Sequence, residues 1–273
     1  MSRERDLSAR AVYLYCLVEG DDAGPAASAE PAPQGLPGAT PPRSVALPGG
    51  LVLVASDVPL PEYSAAAIEE RLSDLEWVSA RALAHERVVE HFAASGTVLP
   101  MKLFTLFHSE ERAKEDVAAR REAIGRTLAR LRGAREWGVR IAFDPAAAGG
   151  DGTGSPDAAA DSAAPPASGR DFLVRKKRRQ EAGRELAKNA ERTVEEVYRT
   201  LAARARAARR REPMPEAGAR LLLDAAFLVA KGDAAAFEAA LAAGAGRLAA
   251  CGCAATLTGP WPPYNFVEQA EAE

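Results

Sequence analysis

Eight consecutive positions near the end of the chain, Gly259-Pro260-Trp261-Pro262-Pro263-Tyr264-Asn265-Phe266, hold three prolines, a glycine and three aromatic residues. Proline fixes φ and lacks an N–H, so the stretch cannot run on through the interior of a sheet or helix and takes an extended, turn-prone path. Along that path Trp261, Tyr264 and Phe266 are large apolar surfaces with few rotatable bonds. Either a final strand over residues 253–258 leaves its sheet at Gly259 and the aromatics fold back as core, or they stay exposed as a contact surface.

At 273 residues and 47% hydrophobic composition the chain can bury one large core or two modest ones. Its length favours two domains, 1–135 and 136–273. Basic (35) and acidic (38) residues nearly balance, a formal charge of −3, which argues against a surface built throughout for nucleic acid. No apolar run reaches the roughly 18 residues of a membrane span, and the charged opening Met1-Ser2-Arg3-Glu4-Arg5-Asp6 lacks the apolar core of a signal peptide. Three cysteines without an export signal point to a reducing cytoplasm and no disulfide framework.

Two Ala/Pro/Gly-rich stretches, 20–50 and 144–169, bury too little apolar surface to offset their ordering entropy. They read as flexible insertions after strands at 11–19 and 137–143. The first domain reads as α+β, with a buried strand at 51–55 and a helix over 64–75, with Ser64 as N-cap and Ile68, Leu72 and Leu75 on its inner face. Another helix follows over 81–94, then a charged one to about 132, capped by Ser109, with Val117, Ile124, Leu128 and Leu131 as its inner stripe.

The second domain reads strand, helix, strand, helix, strand. Its strands lie at 137–143, 221–229 and 253–258. A long helix over 171–210 carries Leu186, Ala190, Val194, Val197 and Leu201 inward and is ended by Pro213 and Pro215. A shorter one over 233–248 has Asp233 as N-cap. The order fits a modified ferredoxin-like sandwich, helices on one face of an antiparallel sheet.

Patterns for catalysis are sparse. His85-Glu86 opens like the His-Glu-x-x-His zinc motif, but position 89 is valine and His91 falls off the shared helical face. Cys251 and Cys253 would share a strand face, with Cys16 able to approach from a neighbouring strand. No histidine or second cysteine pair completes a zinc set, and small buried hydrophobes are the simpler reading. Gly149-Gly150-Asp151-Gly152-Thr153-Gly154 lacks the Lys-Ser/Thr ending of a phosphate loop and reads as linker. With no nucleophile elbow either, the expectation is a protein that is not an enzyme, with no catalytic residue, metal ligand or cofactor.

The strongest charge feature is Arg175-Lys176-Lys177-Arg178-Arg179. Residues 170–211 hold 15 basic and 6 acidic residues, a net +9 in a chain of −3. Five successive cations circle a helix, so they form a solvated face, a docking surface for an acidic partner, or a patch for nucleic-acid phosphates.

The tail resembles the C-terminal signature of the gas vesicle protein GvpF/GvpL family, a strand followed by Gly-Pro-Trp-Pro-Pro-Tyr-x-Phe. Three further segments are similar to that family in the same order: Ala11-Val12-Tyr13-Leu14-Tyr15-Cys16-Leu17-Val18, then Val98-Leu99-Pro100-Met101-Lys102-Leu103-Phe104-Thr105, then Glu136-Trp137-Gly138-Val139-Arg140-Ile141 with the later Gly169-Arg170-Asp171-Phe172-Leu173. One departure is Lys102-Leu103-Phe104-Thr105, where the commoner family form reads Arg-Phe-Gly-Thr. The missing glycine bears on any role that needs a close backbone approach there.

The resemblance implies a two-domain α+β protein of the cytoplasm and the gas vesicle, a gas-filled, protein-walled compartment. It implies an accessory or minor vesicle component that binds the very hydrophobic shell protein and limits its aggregation while the shell nucleates. On this reading the partner-binding residues are Trp261, Tyr264 and Phe266 of the tail, or the apolar segment 99–107, together with Arg175, Lys176, Lys177, Arg178 and Arg179. The basic residues would meet acidic groups of the shell protein or of another accessory protein. No small-molecule substrate and no membrane contact are expected. The alternative is a nucleic-acid or phosphate-binding regulator using the basic helix 170–211.

Overall fold

In the computed structural model, which describes residues 9–19, 33–148, 169–212 and 220–267, the apolar run 11–18 forms the central strand of a first unit. This strand, β1 (Arg10–Glu19), pairs antiparallel with β3 (Leu51–Pro59), which pairs in turn with β2 (Arg43–Leu47). The other side of β1 is shared by β4 (Val98–Pro100) and β5 (Leu106–Phe107), giving the order β2-β3-β1-β4 with β5 also paired to β1.

An alternating strand has one wet face, whereas β1 is buried from Ala11 to Val18 because helices cover both faces of its sheet. Ala11, Tyr13 and Tyr15 pack against Val88, Val89 and Ala93 of α3 (Leu75–Ser95) and Tyr63 of α1 (Leu60–Tyr63). Val12, Leu14 and Leu17 pack against Val117 of α4 (Glu110–Ala119) and Ile124 and Leu128 of α5 (Arg121–Leu131). A bulge between Leu14 and Cys16 puts Tyr15 and Cys16 in the same cluster and inverts the alternation beyond it. Each large side chain so buried is worth about 1.5–3 kcal/mol.

Several expectations for this unit are corrected. Residues 33–50 of the supposed insertion 20–50 are built into the fold. The Tyr15 hydroxyl accepts from Leu36 N at 3.0 Å and donates to Ser56 Oγ at 3.2 Å, while Tyr63 donates to the Pro37 carbonyl at 2.8 Å. A Cβ at Gly35 would stand 2.2 Å from the Tyr15 hydroxyl oxygen, so only glycine fits under that ring. Ser64 does cap, accepting from Ala67 N, but the helix it opens, α2 (Ala65–Arg71), ends early. Leu72 and Leu75 are 54% and 78% exposed because they flank a new cap, Asp74, which accepts from Trp77 N and starts α3. The helix from Ser109 breaks at Arg120 (φ −102°, ψ 12°), yet Val117, Ile124, Leu128 and Leu131 are all buried.

The second unit, Ala134–Pro260, runs β6 (Ala134–Phe143), α6 (Gly169–Ala202), β7 (Ala207–Arg210), β8 (Arg220–Ala230), α7 (Ala234–Ala250) and β9 (Cys253–Trp261). Its antiparallel sheet has the order β7-β8-β6-β9. Period-two alternation sends Trp137, Val139, Ile141 and Phe143 of β6 and Leu223, Ala225, Phe227 and Val229 of β8 to one face. There they meet Ala190, Val194, Val197 and Leu201 of α6 and Phe237, Leu241 and Leu248 of α7.

The expected long helix is shorter than thought and is followed by a strand, β7, that pairs with β8. Asp233 does not cap α7 through its side chain. Strand β9 runs past Gly259 and Pro260 to Trp261, which the sheet tolerates because β9 is an edge strand. The tail 261–273 then groups with residues 1–133, so the first unit is discontinuous where a boundary near 135 had been expected to separate everything after it.

Asp224 of β8 is a buried carboxylate, its side chain 7% exposed. Arg211 Nε donates to it at 2.7 Å, and Arg140, directly across the β6–β8 pair, lies at 3.4 Å. Asp224→Ala is expected to cost about 2–3 kcal/mol, because it strands guanidinium charge against the sheet. Arg140→Ala, at a half-exposed pair, is expected to cost under about 1 kcal/mol. Denaturant unfolding of the two variants checks the ranking.

Candidate functional site

The aromatic tail folds along the edge of the first unit's sheet. Pro262, Pro263 and Phe266 are buried, and Arg130 of α5 donates to the Phe266 carbonyl at 2.6 Å. Tyr264 packs on the cluster formed by Tyr13, Tyr15 and α3, with its ring 6.2 Å from that of His85. Val267 packs on the opposite cluster, with Leu99, Met101 and α5. The tail therefore crosses the edge beside β4 and touches both halves of the core. Of the three tail aromatics expected to bind a partner, Phe266 is core and Tyr264 is half-buried; Trp261 is 42% exposed.

Residues 101–105 arch along β1 between β4 and β5, opposite the bulge. Met101 N donates to the Tyr15 carbonyl and Leu14 N to the Thr105 carbonyl, so the arch is held at both feet. At its crest Phe104 has φ 65°, a left-handed conformation that costs a residue with a Cβ roughly 1–2 kcal/mol. This is the position where the resemblance noted in the sequence implies glycine in the commoner form. What holds Phe104 there is its ring, stacked on Trp77 at 5.5 Å, and its N–H, which donates to the Tyr13 hydroxyl at 3.4 Å. Trp77 is backed by Arg81, whose guanidinium lies 3.8 Å from the indole centroid and is itself buried. At this conformation Phe104→Ala is expected to be less stable than Phe104→Gly by about 1 kcal/mol. An ordinary turn gives the reverse order, and paired denaturation curves distinguish the two.

Having accepted from Phe104, the Tyr13 hydroxyl gives its own proton to His85 Nδ1 at 2.7 Å, which fixes a neutral imidazole. Burial drives the His85 pKa down to about 4, with the Met101 carbonyl, an acceptor for the ring, opposing it. Burial also pushes the Tyr13 and Tyr264 phenols up, with the neighbouring Glu86 adding to the effect on Tyr264. A histidine at about 6.5 unfolded and about 4 folded takes its proton first in the unfolded chain. Stability is therefore full above about pH 6.5 and falls by roughly 3 kcal/mol as pH drops to about 4. His85→Gln is expected to remove that slope, measured as the wild-type minus variant difference in unfolding free energy across the window.

Beside this network opens a cleft of about 340 Å³, lined by residues 99–102, Thr105, Tyr264 and Val267, by Arg120 at the α4–α5 break and by the α5 face carrying Ala123, Ile124, Arg126 and Thr127. Its floor is apolar and its cations are Lys102, Arg120 and Arg126. Two of the segments that resemble the family, the tail and residues 98–105, converge here, which sequence spacing alone did not show. A second depression, of about 410 Å³, lies between the β2–β3 turn and α4 and is mainly apolar, with Leu47, Pro48, Leu51, Val117 and Ala118 in its wall.

The basic residues belong to the second unit. The core-facing stripe of α6 starts only at Leu186; from Leu173 to Glu185 every side chain except the partly exposed Arg175 is exposed, including Leu173 and Val174. Lys176, Lys177, Arg178 and Arg179 thus point into solvent around the helix, with Lys177 3.8 Å from Glu181. Cys16 belongs to the first unit and Cys251 and Cys253 to the second. All three are buried, and burial, with Cys251 alongside, pushes the Cys253 thiol up to about 12. No group of three His, Cys, Asp or Glu able to hold a metal occurs among the described residues. The glycine run 149–154 lies outside them. No helix among them is long and apolar enough to cross a membrane.

Comparison with known proteins gives a consistent result. The family model described as gas vesicle synthesis protein GvpL/GvpF matches residues 11–268. Gas vesicle protein L of Streptomyces sp. (strain CB03234) is 30% identical over 243 residues, covering 86% of each chain. The crystal structure of GvpF from Anabaena sp. PCC7120 superposes with a TM-score of 0.67 at 18% identity, over 97% of this chain and 98% of that one. GvpF from Microcystis aeruginosa gives 0.62 at 17% identity, over 94% and 99%. At those identities the two structures speak for the fold.

Proposed function

This chain belongs to the GvpL/GvpF family of gas vesicle synthesis proteins, and we propose that it acts in vesicle assembly by binding the hydrophobic shell protein and limiting its aggregation during nucleation. The observation that carries this reading is the extent of the family match, which runs through both segments that build the cleft. A wall subunit that will face gas exposes apolar surface before it is assembled, and a soluble protein that covers that surface raises the yield of assembly over precipitation. The exposed Trp261, the apolar depression beside α4 and the basic first half of α6 are the surfaces free to do so. The role is one of binding and not turnover, in the cytoplasm and at the vesicle. The second unit we read as a ferredoxin-like split βαβ. Its β-α-β-β-α-β order and its antiparallel β7-β8-β6-β9 sheet support that reading.

Basic residues open to solvent all round α6 also favour a second reading, a contact with nucleic-acid phosphates. That contact would weaken steeply with salt.

Co-expression with the cognate shell protein, affinity capture of this chain and a solubility assay test the assembly reading. Trp261→Ala is expected to fold normally and to lose capture, as is the Lys176→Glu/Lys177→Glu pair. Phe266→Ala, in contrast, is expected to lose about 3 kcal/mol of stability by opening a cavity. Absence of capture and of solubility rescue by the wild-type chain, with the shell protein well expressed, would sink the reading.

A further inference from the structure

We infer that the cleft between residues 99–105, α5 and the tail takes a short acidic-aliphatic peptide segment of a partner protein. Its carboxylates would meet Lys102, Arg120 and Arg126, and its aliphatic side chains would lie on Leu99, Met101 and Ile124. Three cations and no carboxylate line this cleft, in a chain whose formal charge is −3. They come from facing segments: Lys102 from the arch, Arg120 from the break between α4 and α5, and Arg126 from α5.

Their charge is poorly compensated at home. Lys102 forms no ion pair among the described residues. Arg126 has only Glu122 at 3.9 Å, where both side chains are largely in solvent and the pair is worth little. Arg120 is bonded to Asp116 through one Nη, but its Nε is buried without an acceptor among the described residues. An unmet buried donor favours an acceptor arriving from outside.

The floor decides the class of ligand. Leu99, Met101 and Ile124, all nearly buried, line the cleft together with the cations, so an inorganic anion would meet the charges and leave the apolar lining uncovered. Single-stranded nucleic acid needs exposed aromatic platforms for its bases, and the cleft's aromatic ring, that of Tyr264, is half-buried beside His85. A volume of about 340 Å³ suits a few side chains and excludes a globular surface. Carboxylates alternating with aliphatic groups satisfy the rim and the floor together. The inference rests on the assembly reading only in taking the partner to be a protein.

The test uses the full chain and a fluorescent six-residue peptide of alternating leucine and glutamate, followed by anisotropy. A peptide with glutamine in place of glutamate is expected to bind at least tenfold more weakly. Lys102→Glu/Arg126→Glu, at exposed positions, is expected to keep the wild-type melting temperature and lose at least tenfold in affinity. Arg175→Glu/Lys176→Glu on α6 is expected to bind the probe unchanged. Equal binding of the glutamine peptide, full binding by the cleft variant, or equal loss in the α6 variant overturns the inference. So does displacement of the probe by an oligonucleotide at the same charge concentration.

Shell-protein capture is run alongside. Capture by the wild-type chain without any probe binding removes the cleft and leaves the assembly reading. Probe binding that meets these criteria, with no shell-protein capture, removes the assembly reading and leaves the cleft.

Discussion

Burial of β1 on both faces is the constraint on which the first unit depends. A strand covered from two sides must satisfy two helical layers at once, and β1 does so with tyrosines toward α3 and aliphatic residues toward α4 and α5. The bulge at Tyr15 is what allows this asymmetry, because it lets two successive residues serve the same layer. On the other side of β1 from β3, the 101–105 arch spans the gap between β4 and β5. The cleft is the outer side of that arrangement.

The arch shows how a local cost is met by its surroundings. Phe104 adopts a conformation made for glycine, and the chain offsets the strain with a ring stack that glycine could not supply, beside a backbone hydrogen bond that it could. Tyr13 and His85 extend the same support inward, so a backbone donor at the surface ends in a neutral imidazole in the core. The arrangement is built for position and not for proton transfer, since burial keeps each of these groups uncharged near neutrality.

Much of the fold was legible in the sequence wherever local pattern and burial agree. Continuous apolar runs gave β1 and β3, serine caps gave the starts of α2 and α4, and helical spacing gave the buried stripes of α5 and α6. The misses share one cause: tertiary pairing outweighing composition. Strand β7 reads Ala-Ala-Arg-Arg, a helix former's sequence, and becomes strand because β8 offers it a partner and Glu195 and Tyr198 take the Arg210 side chain. Residues 33–50 look like linker until Tyr15 and Tyr63 anchor them from elsewhere. The basic cluster was visible, but not that its half of α6 lacks a core to lie on. Of the tail, the sequence indicated the kind of path and not its destination, because proline excludes conformations without choosing a neighbour.

That destination bears on how the protein is made. Residues 261–267 complete the core of a unit whose other strands and helices all precede residue 134. On the ribosome the first unit emerges early and then waits while the whole second unit is synthesised, which at roughly 10 residues per second takes over ten seconds. Through that interval the edge beside β4 and the pocket for Phe266 are open. Translation therefore sets a minimum age at which the first unit can become fully native, and the second unit, whose elements are consecutive, can reach that state no later than the first.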